Sequence, residues 1–129
     1  MATRSTIAYL DSDNTVHQIY CHWDGYPKHN GAILKEHYNT IERVRELLAL
    51  GNLSVLAENT TPFGFHTFDV PEEGICIAYG RDRGDTNMEA RVYPNIIEYM
   101  NNAQSEQFDY LLIGNQWIVK SDSRGFRPF

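Results

Sequence analysis

The chain has 129 residues, of which 42% are hydrophobic, 12% aromatic and 22% charged. This is an ordinary globular composition that excludes disorder as the default, and area scaling allows one core, with roughly 7,000 Å² exposed when folded against about 21,600 Å² unfolded. Eleven Lys and Arg against 17 Asp and Glu give a net charge of −6, which excludes a protein that coats duplex DNA by neutralising its phosphates.

Thr6–Leu10 is rich in β-formers, Asp11-Ser-Asp-Asn14 is a cluster of turn residues, and Val16–Cys21 reads as the returning strand. This predicts an N-terminal hairpin that contributes Ile7, Tyr9, Val16 and Ile19 to the core. His22-Trp-Asp-Gly-Tyr-Pro27 is a loop, with Gly25 expected at positive φ. Asn30–Tyr38 forms a short helix with Ile33, Leu34, His37 and Tyr38 on one face. Asn39 suits a left-handed C-terminal position and Thr40 an N-cap. The stripe Ile41, Val44, Leu47 and Leu48 predicts a helix over 41–50, with Glu42 in its first turn and Gly51 ending it.

From Asn52 to Glu73 the chain reads as loop or short edge strand, punctuated by Phe63, Phe65 and Phe68. Ile75–Tyr79 is a buried-strand pattern, followed by a Gly80-Arg-Asp-Arg-Gly84 loop. After Pro94, the spacing of Ile96, Ile97, Tyr99, Met100 and Ala103 is helical. Phe108–Ile113 and Gln116–Lys120, joined by Gly-Asn, form a C-terminal hairpin. The order predicts an α+β fold: a mainly antiparallel sheet with two or three helices on one face. Residues 1–120 make one domain, and 121–129 a polar tail expected to be mobile.

Two segments carry candidate chemistry. In His22–Tyr26, Trp23 and Tyr26 offer stacking faces for a base, or Trp23 pins the loop to the core. In Gly80–Asp85, Arg81 and Arg83, with Arg91 beyond, offer guanidinium forks for phosphate, or the arginines pair with Asp82 and Asp85. The segment lacks the Gly-Lys-Ser/Thr ending of a P-loop. The five histidines and two cysteines show no metal-ligand spacing, so no metal or cofactor is expected. His37 and His66 read as packed or surface residues, and Arg43 and Arg45 as a solvated helix face. No apolar run approaches the roughly 20 residues of a membrane span. The start lacks the apolar core of a signal peptide, and Cys21 and Cys76 suit buried thiols. A cytoplasmic protein is expected.

The stretches Met1-Ala-Thr-Arg-Ser-Thr-Ile7, Ile19-Tyr-Cys-His-Trp-Asp-Gly-Tyr-Pro27, Leu47–Ser54 and Ala78-Tyr-Gly-Arg-Asp-Arg-Gly-Asp85 resemble a widespread family of small proteins from phages and prophages. The chain is also similar in size, phage character and expected architecture to the Thoeris anti-defence signal sponges. That resemblance implies a non-enzymatic homo-oligomer in the infected host's cytoplasm. It would sequester a small phosphate-bearing signal, a cyclic nucleotide or cyclic ADP-ribose isomer, using Trp23, Tyr26, Arg81, Arg83 and Arg91. The other readings are an anti-CRISPR-like inhibitor that binds a host defence protein through an acidic surface such as Glu72 and Glu73, and an enzyme acting on nucleotides through Asp24, Asp82 or Asp85.

Overall fold

In a computed structural model describing residues 2–129, the N-terminal hairpin is built from β1 (Ser5–Leu10) and β2 (Val16–Cys21). Its turn is closed by Asp11 N–H to Thr15 O at 2.8 Å, with Asn14 at φ 72°. A wide turn over Pro27–Gly31 leads into α1 (Ala32–His37), and α2 (Ile41–Leu48) follows. Thr40 caps α2 as its sequence predicts, its side chain accepting from Arg43 N–H at 3.3 Å. Asn39 does not take the left-handed conformation; the chain turns at Tyr38, with φ −129° and ψ 55°. Tyr38 is fully buried, so packing of its ring dictates the backbone there.

Next come β3 (Leu53–Val55), β4 (Ile77–Ala78), α3 (Tyr79–Arg83), β5 (Arg91–Tyr93) and α4 (Ile96–Asn102). The C-terminal hairpin is β6 (Phe108–Ile113) and β7 (Gln116–Lys120), and β8 (Arg127–Pro128) pairs with β7. The sheet order is β4-β3-β2-β1-β6-β7-β8, with β5 on β2. Most pairings are antiparallel; β1–β6 and β2–β3 are parallel. The fold is α+β. The segment after β4 is a helical turn rather than a loop, because the Asp82 carboxylate caps it from within, accepting from Ala78 N–H at 2.8 Å.

Helices cover both faces of the sheet, not one. Ile7, Tyr9, Ile19, Cys21, Tyr110, Leu112 and Trp117 point toward α1 and α2 and meet Leu34, Tyr38, Val44 and Leu47. Their strand neighbours Ala8, Val16 and Leu111 point the other way and meet Tyr99 of α4. The exposed area is 7012 Å², in line with the scaling expected for this length. No helix among the described residues is long and apolar enough to cross a membrane.

Candidate functional site

The α4 side of the sheet is apolar at one end and polar at the other. Beyond Ala8 and Val16 the same face carries Thr6, Gln18 and Tyr20. Asp109, on β6, is almost wholly buried, and its carboxylate accepts from Thr6 Oγ1 (2.7 Å), Ser105 Oγ (2.7 Å) and Glu106 N–H (3.0 Å). Gln18 Nε2 donates to Gln104 O at 2.8 Å, and Tyr93 Oη donates to Gln18 Oε1 at 3.2 Å. These bonds fasten the 104–106 connection and β5 to the sheet. They leave between them a groove of about 350 Å³, lined by Arg4, Tyr20, Asn52, Arg91, Gln104 and Glu106.

Among the described residues, neither the Arg4 nor the Arg91 guanidinium forms an ion pair or a hydrogen bond. Both residues are exposed. Between them lies Tyr20, whose hydroxyl is 2.7 Å from His22 Nδ1. Burial raises the Tyr20 phenol above its ordinary value, with Arg4 lowering it and Glu106 raising it to lesser degrees. The His22 ring in turn meets Trp23 edge-on at 4.8 Å. A run of rings, Tyr20–His22–Trp23, therefore leads from the groove to the β2–α1 loop.

That loop is held firmly by its backbone. His22 N–H and Trp23 N–H donate to Leu53 O and Ser54 O, both at 3.1 Å, and Gly25 N–H donates to Thr3 O at 2.8 Å. Buried Asn30 donates to Trp23 O at 3.2 Å, and Tyr110 Oη to Gly25 O at 2.7 Å. Trp23 and Tyr26 are 41% and 40% exposed, so neither is a core anchor. Gly25 is not at positive φ; Asp24 is, at 57°. Gly25 is required by space instead, because a Cβ there would lie 2.7 Å from Ser5 Cβ and 2.8 Å from Thr3 O.

The arginines after β4 are committed elsewhere. Arg81 holds the Asp82 carboxylate with Nε–Oδ1 at 2.8 Å, and also donates to Cys76 O at 2.7 Å and to Thr60 O. Arg83 makes a two-pronged pair with Asp85, at 3.0 and 2.7 Å, and lies over the rings of Phe68 and Tyr79. Topology separates this turn from Trp23. Because β3 is parallel to β2 but antiparallel to β4, the two loops leave β3 at opposite ends. Of the residues singled out in the sequence, Arg91 alone lines the groove, with Trp23 reached through His22. Arg4, Tyr20 and Glu106 were not singled out. The strand alternation that puts Tyr20 beside Gln18 was readable, but the approach of Arg4 and Glu106 depends on the β1–β6 pairing.

Asp82 explains a further histidine. Its side chain and that of His66 are 4% and 1% exposed. His66 Nδ1 accepts from Glu72 N–H at 2.9 Å, while Nε2 lies 3.1 Å from Asp82 Oδ2 but out of line for a hydrogen bond. Glu72 in turn accepts from the N–H groups of Phe63 (3.0 Å) and Gly64 (2.9 Å). Glu72 is therefore a structural acceptor within the loop, and Phe63 and Phe65 are left 80% and 76% exposed at its tip. Arg43 likewise is more than a solvated residue, since it donates to His37 O and Glu58 O and lies over the Tyr38 ring.

The thiols of Cys21 and Cys76 are buried and unpaired; burial pushes Cys21 up to about 12 and also raises Cys76, so neither is a ready nucleophile. No group of three or more His, Cys, Asp or Glu among the described residues is arranged to hold a metal ion. A second cleft of about 340 Å³ contains Tyr9, His17 and Arg45, but there the cation is engaged by Asp11. No protein-family model matches the chain, and comparisons with curated proteins and with solved structures likewise give no significant match.

Proposed function

We propose that this protein is a phage counter-defence factor that binds and sequesters a small phosphate-bearing nucleotide signal, without turnover, in the Arg4–Arg91 groove. One observation supports the reading: two arginines whose guanidiniums have no acidic partner among the described residues line a polar groove, in a chain whose overall charge is −6. Free guanidiniums at a fixed groove are suited to a phosphate, because their donors need not be withdrawn from an internal partner first. The run Tyr20–His22–Trp23 supplies the aromatic surface for a base. Arg81 and Arg83 take no part, since binding a ligand would strip Asp82 and Asp85 of their partners. The groove is open on one side, and a second copy of the chain would close it over a tightly held ligand.

The test is a thermal-shift screen against ADP-ribose, its cyclic isomers, and cyclic di- and trinucleotides. A ligand at about a hundredfold its Kd adds roughly 2.7 kcal/mol, which raises the melting temperature by several degrees in a domain of this size. The shift is expected to vanish in R4A and R91A, and the ligand to return chemically unchanged after denaturation. A ligand returned altered makes the protein an enzyme. A flat screen on folded protein favours the second reading, an inhibitor of a host defence protein. The observation behind that alternative is the exposure of Phe63 and Phe65 on a loop tip fixed by Glu72.

A further inference from the structure

The groove holds a carboxylate as well as two guanidiniums, and this limits what it can accept. Glu106 lines the same 350 Å³ space as Arg4 and Arg91, yet pairs with neither. Its Oε2 accepts from Gln104 Nε2 at 2.9 Å, and no donor among the described residues reaches Oε1. The backbone on which it stands is fixed, because Glu106 N–H is tied to the buried Asp109 at 3.0 Å. The groove thus presents a surplus of one positive charge and, beside it, an unused acceptor.

We infer that Glu106 is the specificity-determining residue of this groove and selects a ribonucleotide phosphodiester carrying a single negative charge. The inference rests on the nucleotide-binding reading above. One phosphodiester charge between Arg4 and Arg91 balances the surplus. A phosphomonoester, which carries nearly two charges at neutral pH, adds a negative charge facing the Glu106 carboxylate. Oε1 faces solvent in the half-buried Glu106, and a ribose hydroxyl next to the phosphodiester can take the place of water as its donor; a deoxyribose cannot. A volume of about 350 Å³ lies toward the small end of ligand sites and suits one nucleotide unit.

The experiment is calorimetric titration of the full chain with three probes: 3′,5′-cyclic AMP, its 2′-deoxy counterpart, and AMP. Wild type is expected to bind cyclic AMP roughly tenfold more tightly than either of the others, the size of one lost hydrogen bond to a charged group. In E106Q both ratios are expected to shrink to within about threefold, the AMP ratio through tighter AMP binding as the opposing charge is removed, and the deoxy ratio because the ribose hydroxyl then donates to a neutral amide oxygen. In R91A all three probes lose affinity. The inference is overturned, with nucleotide binding intact, if wild type binds AMP as tightly as cyclic AMP. The same holds if E106Q leaves both ratios unchanged, or if R91A binds as wild type does. If folded wild type binds none of the three probes while the thermal-shift screen gives a ligand, this inference is overturned and nucleotide binding stands; if the screen is blank as well, both fall.

Discussion

Arg81 and Arg83, bound to internal acceptors, and Arg4 and Arg91, which are not, illustrate how partner geometry, rather than residue type, divides structural from available charge. Arg81 is surrounded by acceptors: Asp82, Cys76 O and Thr60 O. Burial alone would raise the Asp82 carboxyl, but the Arg81 hydrogen bond, the Ala78 N–H and His66 together hold it below its ordinary value. R81A therefore leaves a nearly buried carboxylate without its cation, and is expected to cost about 3 kcal/mol in urea denaturation. R83A removes an exposed, solvent-screened pair and a ring contact, and is expected to cost much less than R81A in the same assay. A larger loss in R83A than in R81A would show that the Asp82 cluster is not what holds α3. The alternation Arg-Asp-Arg-Gly-Asp in the sequence allowed internal pairing as readily as phosphate binding, and local spacing cannot decide between them. The deciding partners, Thr60 O and Cys76 O, are backbone atoms that carry no sequence signature.

At the scale of elements, regular patterns were legible and short strands were not. Both hairpins and α2 follow from alternation, turn residues and the Ile41–Leu48 stripe. The strands β3 and β5 have three residues each, too few for a period to show, and exist because β2 offers them one edge. Gly51 joins these parts. It has φ 77°, and a Cβ there would lie 2.3 Å from Met88 O, while the next residue's N–H donates to that same oxygen at 2.8 Å. Its role as a helix stop was evident in the sequence; its contact with the 88–90 segment was not. G51A is expected to cost at least about 2 kcal/mol, by strain at positive φ added to the displaced segment. Hydrogen exchange should show protection lost in β5 before β1. Loss spread evenly over the sheet would place the role of Gly51 in α2 alone.

For the molecule as a whole, several carboxylates are held below their ordinary values. Asp11 is held there first by the Arg45 hydrogen bond, Asp85 first by that of Arg83, and Asp122 is brought to about 2 mainly by Arg124. A depressed carboxyl stabilises the fold above its unfolded value, near 3.9, and that contribution is lost as pH falls through the folded value. The melting temperature is therefore expected to be insensitive to these groups between about pH 7 and 5, and to fall steeply below about pH 4. D82N is expected to start lower and to fall less. An acid transition of unchanged steepness in D82N would assign the effect to the surface pairs.

The parallel pairing of β1 with β6 sets Ser5 opposite Phe108, so the central strand finds one of its two neighbours only after about a hundred further residues have been made. At ribosomal speeds of roughly 5–20 residues per second, that is a wait of about 5–20 s. During it the first hairpin has its long β1 edge bare, and unpaired edges recruit other chains. Newly made protein is thus most vulnerable to aggregation before β6 emerges, and closure of the β1 edge belongs to the β6–β7 hairpin. A chain stopped short of β6 has no means of covering that edge.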